Sequence, residues 1–388
     1  MHVWQKKFIS DTFEVAKENN CNYSKALSDN LELLNRKNNY IPNSIFKFYS
    51  ATPENLFDIS NRVLWMPSPQ YFNDPFDCYL SLNTDEYEKR YLLNVIKKQN
   101  LQVELNVENA FTLVEFNKLW NSYTKERYYS SEEWSSVLRN IMERKSEEFD
   151  DKIRRILRQC RAEIEDKLCY LQTKRIRVSC FSSFKSIDDF LKNILMWSHY
   201  ADNHKGFCVE YDMSTFKKSF EKNVSPDDFY HNKEIYLDGK MRFSLKAGLF
   251  PVIYGSQVVS LPTRDLLKSK IVSDKLISSC NIDKAVYRSY LTKSSNWSYE
   301  NEWRIIIDDQ VCKYYDYKIP FPYIKTIFVG CHMEDSMVRM IRDIATGLNI
   351  PIKIMKLQKP KFTLWDRNDD IKMYQFWKEM ERLNDPFE

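Results

Sequence analysis

Glycine is scarce: six residues in a chain of 388, at positions 206, 239, 248, 255, 330 and 347, against the roughly 7% usual in proteins. No two lie close enough to build a Walker-type or Rossmann phosphate cradle, where neighbouring glycines let backbone N–H groups approach the phosphates. A nucleotide would have to be held by some other device. Also missing is any apolar run of about 18 residues or more, so no membrane-spanning helix and no membrane partner are expected. The opening "MHVWQKKFISDTF" has no apolar stretch behind its basic residues, which predicts a soluble, cytoplasmic protein without an export signal. The nine cysteines contain no Cys-x-x-Cys pair, and their odd number points to reduced, mostly buried thiols rather than disulfides or a zinc knuckle. Neither sign of charge dominates: 58 basic and 54 acidic residues leave a net +4, which creates no global field for nucleic acid.

What is present is a folded protein's composition, 43% hydrophobic with 15% aromatic residues, in a chain long enough for one to three domains. Residues 1–40 carry helical periodicity through "ALSDNLELLNR". "SIFKFYS" and "RVLWMPSP" read as strands around a short helix in "ATPENLFDIS". Asn73, Asp74 and Pro75 mark a turn in "QYFNDPFDCYL". From about Asp85 to Lys174 the chain turns to helix formers, with nine Lys/Arg and eight Asp/Glu interleaved over Ile141–Lys174, the pattern of a solvated helical face. Strands resume at "RIRVSCFSS". A helix follows with Ser186 as N-cap and Asp188 and Asp189 in its first turn, then the strand "GFCVEYDM". Residues 213–250 look loop-rich, "FPVIYG" strand-like, and "SLPTRDLLKSKIVSDKLISSCNIDKAVYRSYLTKS" helical. "YIKTIFVG", "SMVRMIRDIATGL" and "IKIMKLQ" close the chain as strand, helix and strand. The predicted architecture is α+β with mixed or antiparallel sheets: a helical segment at 1–40, a core domain at 41–84 and 175–360, a long helical insertion at 85–174, and a tail or helix at 361–388.

Three stretches gather chemistry. "WSYENEWRIII", read as a strand, puts Trp297, Tyr299, Trp303, Ile305 and Ile307 on one side and Glu300, Glu302 and Arg304 on the other. Two carboxylates about 7 Å apart on one face raise each other's pKa, while a guanidinium holds one ionised; the plainer reading is a solvent-facing salt bridge of little energetic weight. "CFSS" and "MWSHYADNHKGFCVEYD" concentrate Ser182, Trp197, Ser198, His199, Tyr200 and His204, with Trp197 and Tyr200 readable as core aromatics. His199, His204 and Cys208 match no zinc spacing, so no metal site is assigned. "FNDPFDC" offers Asn73, Asp74 and Asp77, more readily an Asx turn locked by proline than a divalent-metal site.

In this order, "FKFYS", "LWMPSPQYFNDPFD", "VSCFSS", "MWSHYADNHKGFCVEYD", "VIYG", "SYENEWRI" and "IFVG" resemble the motifs of a widespread bacterial family known as a domain of unknown function, over residues 44–83 and 175–332. The helical insertion departs from it. A more distant resemblance is to ADP-ribosyltransferases, including DarT-like toxins, through Glu300-Asn301-Glu302. It implies a split-sheet core and NAD as substrate. Glu302 would be the catalytic acid and Glu300 its partner, with Ser182 or Tyr200 in the middle motif and Lys47 or Tyr49 on the first strand; Trp197, His199 and Arg304 join the NAD-binding set. The same resemblance implies a macromolecular acceptor such as RNA, DNA or protein, a toxin or anti-phage role, and an antitoxin or defence partner. Two rivals stand beside it: a non-catalytic binding module in which Glu300, Glu302 and Arg304 form a structural charge ladder, and a metal-dependent nuclease using Asp74, Asp77, Glu300 and Glu302.

Overall fold

The computed structural model describes residues 3–18, 30–98, 147–218, 248–272, 275–358 and 363–366. Most of the insertion and most of the stretch read as loop-rich therefore lie outside the described residues, as do 367–388 of the tail. The fold is mixed α and β, with several small sheets and no closed barrel among the described residues. No described helix is long and apolar enough to cross a membrane. The chain divides into two compact units, one of residues 1–77, 175–257 and 290–388 and the other of 78–174 and 258–289.

The first unit carries two main sheets. One has five strands in the order β1 (Ser44–Tyr49), β3 (Phe207–Asp212), β6 (Ile324–Val329), β7 (Ile352–Gln358) and β8 (Thr363–Asp366). All neighbours run antiparallel except β6 and β7. The other sheet is antiparallel, with β5 (Trp303–Asp308) between β2 (Ile176–Phe181) and β4 (Leu249–Pro251). The two sheets touch where Phe46 and Ser182 exchange backbone hydrogen bonds of 2.8 and 2.7 Å. Period-two alternation sets the faces of β1: Ile45 and Tyr49 enter the larger apolar core, Phe46 and Phe48 a second cluster with Phe190 and Trp197. Lys47, on the Ile45 and Tyr49 side, interrupts the apolar face. On β5, Trp303, Ile305 and Ile307 join the larger core.

Local signals explain most elements. Ser186 caps its helix by accepting from Asp189 N, and Asp74 accepts from Phe76 N at 2.9 Å to build the Asx turn. Asn193, at φ −84° and ψ 65°, splits the expected single helix into Ile187–Lys192 and Ile194–Tyr200. Asp202, Asn203 and His204 follow with φ of 46°, 52° and 68°, and Gly206 ends this tight loop. A Cβ on Gly206 would lie 2.0 Å from Tyr49 O, and one on Gly330 2.1 Å from His204 O. Glycine is needed there for close backbone approach. Gly206→Ala is expected to cost about 3 kcal/mol or more, because backbone cannot yield as a side chain does; a denaturant midpoint unchanged from the wild type would contradict this.

Several expectations are corrected. The stretch from Ser260 to Ser294 is not one helix but a helix Thr263–Lys268, a hairpin of Lys270–Val272 with Lys275–Ile277, a helix Cys280–Tyr290 and a strand Thr292–Ser294. β-Branched Ile271, Val272 and Ile277 favour the hairpin. The N-terminal segment forms two described helices, Val3–Glu18 and Leu31–Asn38, and part of the tail forms β8. Among the described residues seven cysteines are free, but Cys280 is disulfide-bonded, against the expectation of reduced thiols. In the second unit, Thr84–Lys98 and Glu147–Cys169 are helices. Within that unit the buried Lys167 donates to Glu163, Tyr87 Oη and Leu266 O.

Candidate functional site

The most altered expectation concerns "WSYENEWRIII". Ser295–Glu300 is a 3₁₀ turn whose start is capped by Ser294 Oγ, and Asn301 takes the left-handed conformation at φ 45°, which asparagine tolerates better than most residues. Regular strand begins only at Trp303. Glu300 and Glu302 are thus not brought together by strand pleat. They meet because the turn folds Glu300 back and one cation holds both. Nor do they face solvent: Glu300 is 2% exposed, Glu302 3% and Arg304 0%.

That cation is Lys293, on the short strand Thr292–Ser294, which pairs in parallel with Ile253–Gly255. Its Nζ donates to Glu300 Oε2 at 2.6 Å and Glu302 Oε2 at 3.1 Å, with Asp77 Oδ2 at 3.6 Å and the Trp297 ring centroid at 5.0 Å. Arg304 grips Glu302 with both ends of its fork, Nε to Oε1 at 2.7 Å and Nη2 to Oε2 at 3.1 Å. It also donates to Asp77 Oδ2 at 2.7 Å and Tyr290 O at 2.9 Å. Such bidentate, charge-assisted pairs make burial of a guanidinium tolerable. Glu302 N donates to Tyr254 Oη at 2.8 Å, fixing the backbone. Tyr200 Oη donates to Glu300 Oε1 at 2.6 Å.

The two carboxyls end with opposite proton affinities. Burial and the neighbouring Glu302 charge push Glu300 up to about 7, against the pull of Lys293 and the Tyr200 hydroxyl. For Glu302 burial acts upward too, but Arg304 and Lys293 overcome it and hold this carboxyl well below the usual range. Lys293 is itself held above its ordinary value: burial opposes its charge, and Glu302 and Glu300 outweigh that. Burial, with the Glu300 charge, raises Tyr200 and keeps it a phenol donor. One linkage consequence is testable. Because Glu300 binds its proton more tightly when folded, its stabilising contribution is full below the unfolded value of about 4.5 and is lost as pH rises toward 7, with a slope of up to about 1.4 kcal/mol per pH unit. Glu300→Gln should flatten that part of a stability-against-pH curve; an unchanged slope would contradict the assignment.

These groups form the floor of a cavity of about 360 Å³, within the usual range for small-molecule sites. Its lining includes Lys47, Tyr49, Ser182, His199, Tyr200, Glu300 and Glu302, so seven of the nine residues singled out from the sequence share it. Phe46, Phe48, Trp65, Tyr71 and Phe72 add apolar wall, and Asn55 and Asn73 add amides. Lys47 Nζ donates to Cys180 O at 3.2 Å and lies 5.6 Å from both the Tyr49 and Phe181 ring centroids. Burial lowers its pKa. Tyr49 Oη is bonded to Tyr211 Oη at 2.8 Å. His199 packs edge-on against Trp297.

The other two do not line the cavity. Trp197 is fully buried in the aromatic cluster, edge-on to Phe48 at 5.3 Å, where no ligand would meet its ring; its assignment to NAD contact is corrected to core. Arg304 acts behind the wall, through Glu302. Of the proposed nuclease ligands, Asp74 serves its turn and Asp77 is engaged by Arg304, and the described residues contain no group of three or more His, Cys, Asp or Glu placed to hold a metal ion. Sequence reasoning missed Lys293 and Tyr254. Their one signal was a lysine and a tyrosine inside short β-like runs, "LTKS" and "VIYG", and periodicity alone does not pair those runs.

The family model described as Protein of unknown function (DUF2971) matches residues 196–305. The match fits the resemblance to a domain-of-unknown-function family. It spans Tyr200, Lys293, Glu300, Glu302 and Arg304, and leaves Lys47, Tyr49 and Ser182 outside. No curated protein and no solved structure matches the chain.

Proposed function

We propose that the cavity is the active site of an ADP-ribosyltransferase-like enzyme, which cleaves the nicotinamide–ribose bond of NAD and transfers ADP-ribose to a macromolecular acceptor. The observation that carries this reading is the pair of adjacent carboxyls with separated proton affinities at the floor of an aromatic-walled cavity. Two acids whose environments drive their pKa values apart are suited to two roles in one reaction. Glu302, permanently ionised, stabilises the positive charge that develops at the ribose carbon as the C–N bond breaks and its electron pair leaves with neutral nicotinamide. Glu300, titrating near neutrality, accepts the proton of the attacking nucleophile as the new bond to that carbon forms. Tyr200 and Lys293 hold Glu300 in place, and the aromatic walls offer faces for a planar heterocycle.

One observation favours the rival binding module: both Glu302 oxygens are already engaged by Arg304 and Lys293, as in a structural ion network. NAD labelled on its adenylate half, incubated with the protein and separately with RNA, DNA and cell protein, separates the readings. Label entering one acceptor class, and lost with Glu302→Gln, is the expected result. No labelled acceptor of any class would overturn the transferase reading and leave the binding module.

A further inference from the structure

Glu300 and Glu302 are joined by Asn301, which is exposed and left-handed at φ 45° and ψ 54°. A loop open to water could leave its carbonyls to solvent, yet every carbonyl from Tyr299 to Glu302 accepts a hydrogen bond from outside the turn. Asn193 Nδ2 donates to Tyr299 O at 3.2 Å. Ser183, just beyond β2, donates its backbone N–H to Glu300 O at 3.3 Å and Asn301 O at 3.2 Å, and its Oγ to Asn301 O at 2.8 Å. Val252 N, just beyond β4, donates to Glu302 O at 3.0 Å. On the other side of that residue, Glu302 N donates to Tyr254 Oη at 2.8 Å. Tyr254 also lies opposite Lys293 in the parallel pair. One residue thus places, through its backbone, the ammonium that holds both carboxyls and, through its hydroxyl, the peptide that carries one of them.

We infer that Ser183 and Tyr254 are positioning residues: by clamping the left-handed link at Asn301 from two sides, they set the spacing of Glu300 and Glu302 across Lys293. Two carboxylates that share one ammonium repel each other and separate where the backbone lets them. A left-handed non-glycine residue is also the point at which such a link relaxes most readily, since the ordinary backbone regions lie lower in energy. The clamp opposes both tendencies. Its catalytic consequence rests on the transferase reading; its effect on the geometry of the acids does not.

Carboxyl carbon-13 NMR of the full chain tests the spacing without any substrate, the Glu300 signal being identified by its loss in Glu300→Gln. Glu300 is faced by Tyr200 from its helix, Lys293 and Tyr254 from the two short strands, and Tyr299 and Glu302 from its own segment. Burial and the Glu302 charge act upward on it, and the Glu302 part weakens if the carboxyls move apart. Tyr254→Phe and Ser183→Ala, each shown to be folded by circular dichroism, should therefore lower its midpoint from about 7 by at least about half a pH unit. Ser183→Thr keeps the hydroxyl and should keep the midpoint. With NAD, kcat for nicotinamide release should fall about tenfold or more in Tyr254→Phe while KM stays within about twofold, because the spacing of the acids bears on the transition state. A midpoint unchanged in either folded variant would overturn that residue's role, and equal shifts in Ser183→Ala and Ser183→Thr would overturn the clamp at Ser183. Absence of nicotinamide release from the wild type would count against the transferase reading alone, since the NMR titration still decides the positioning.

Discussion

Arg304→Gln is expected to destabilise the protein by about 3–5 kcal/mol, the largest stability effect of any single substitution in the site. Its guanidinium is fully buried and satisfies Glu302, Asp77 and the Tyr290 carbonyl together. Removing one partner from a buried ion network costs more than the pair contributes, because the remaining charges lie desolvated and uncompensated. With the guanidinium gone and Lys293 left to hold both Glu300 and Glu302, Glu302 should rise from its depressed pKa and compete for protons with Glu300. The loss should therefore be smaller at low pH, where the variant's Glu302 and Glu300 can take up protons and relieve the uncompensated charge. Urea titrations at pH 5 and pH 8 check both the size and the sign. A loss below about 1 kcal/mol at pH 8, or one equal at the two values, would mean that the guanidinium does not hold the network.

The largest effect on activity is expected from Glu302→Gln, about a thousandfold in nicotinamide release, as for loss of one preorganised group that stabilises developing charge. Glu300→Gln should cost less, about a hundredfold, and change the pH profile as well. In the wild type the rate should rise as pH increases through about 7, because the carboxylate form accepts the proton. The variant should lose that limb and keep a flat, low rate. A single-turnover pH series on both variants separates the roles; an unaltered limb in Glu300→Gln would assign the titration to another group.

Much of the site could be read from residue order. Glu300, Glu302 and Arg304 stood out because an apolar strand rarely carries three charges, and the turn at Asp74 followed from proline and asparagine chemistry. β1, β3 and β6 followed from runs of β-branched and aromatic residues. Two things were hidden for physical reasons. A left-handed Asn301 and a 3₁₀ turn look like strand when aromatics alternate, so the strand was begun too early and its charged residues placed as one face. Lys293 is distant from Asp77 in sequence, and the short strand that carries it is set by a parallel pairing with Ile253–Gly255 that no local pattern encodes. Trp197 had the composition of a ligand stacker but the environment of a core residue, and only burial separates these. The hairpin at 270–277 went unseen because mixed charge and helix formers on either side dominate the window.

The most direct measurement is chromatographic quantification of nicotinamide released from NAD by the purified full chain at pH 7.5, with and without mixed nucleic acid and protein as acceptors, beside Glu302→Gln shown to be folded. Time-dependent release by the wild type, reduced about a thousandfold in the variant, is the expected result. Release that is absent from the wild type under every acceptor condition, or equal in the two proteins, would contradict a catalytic role for the acidic floor of the cavity.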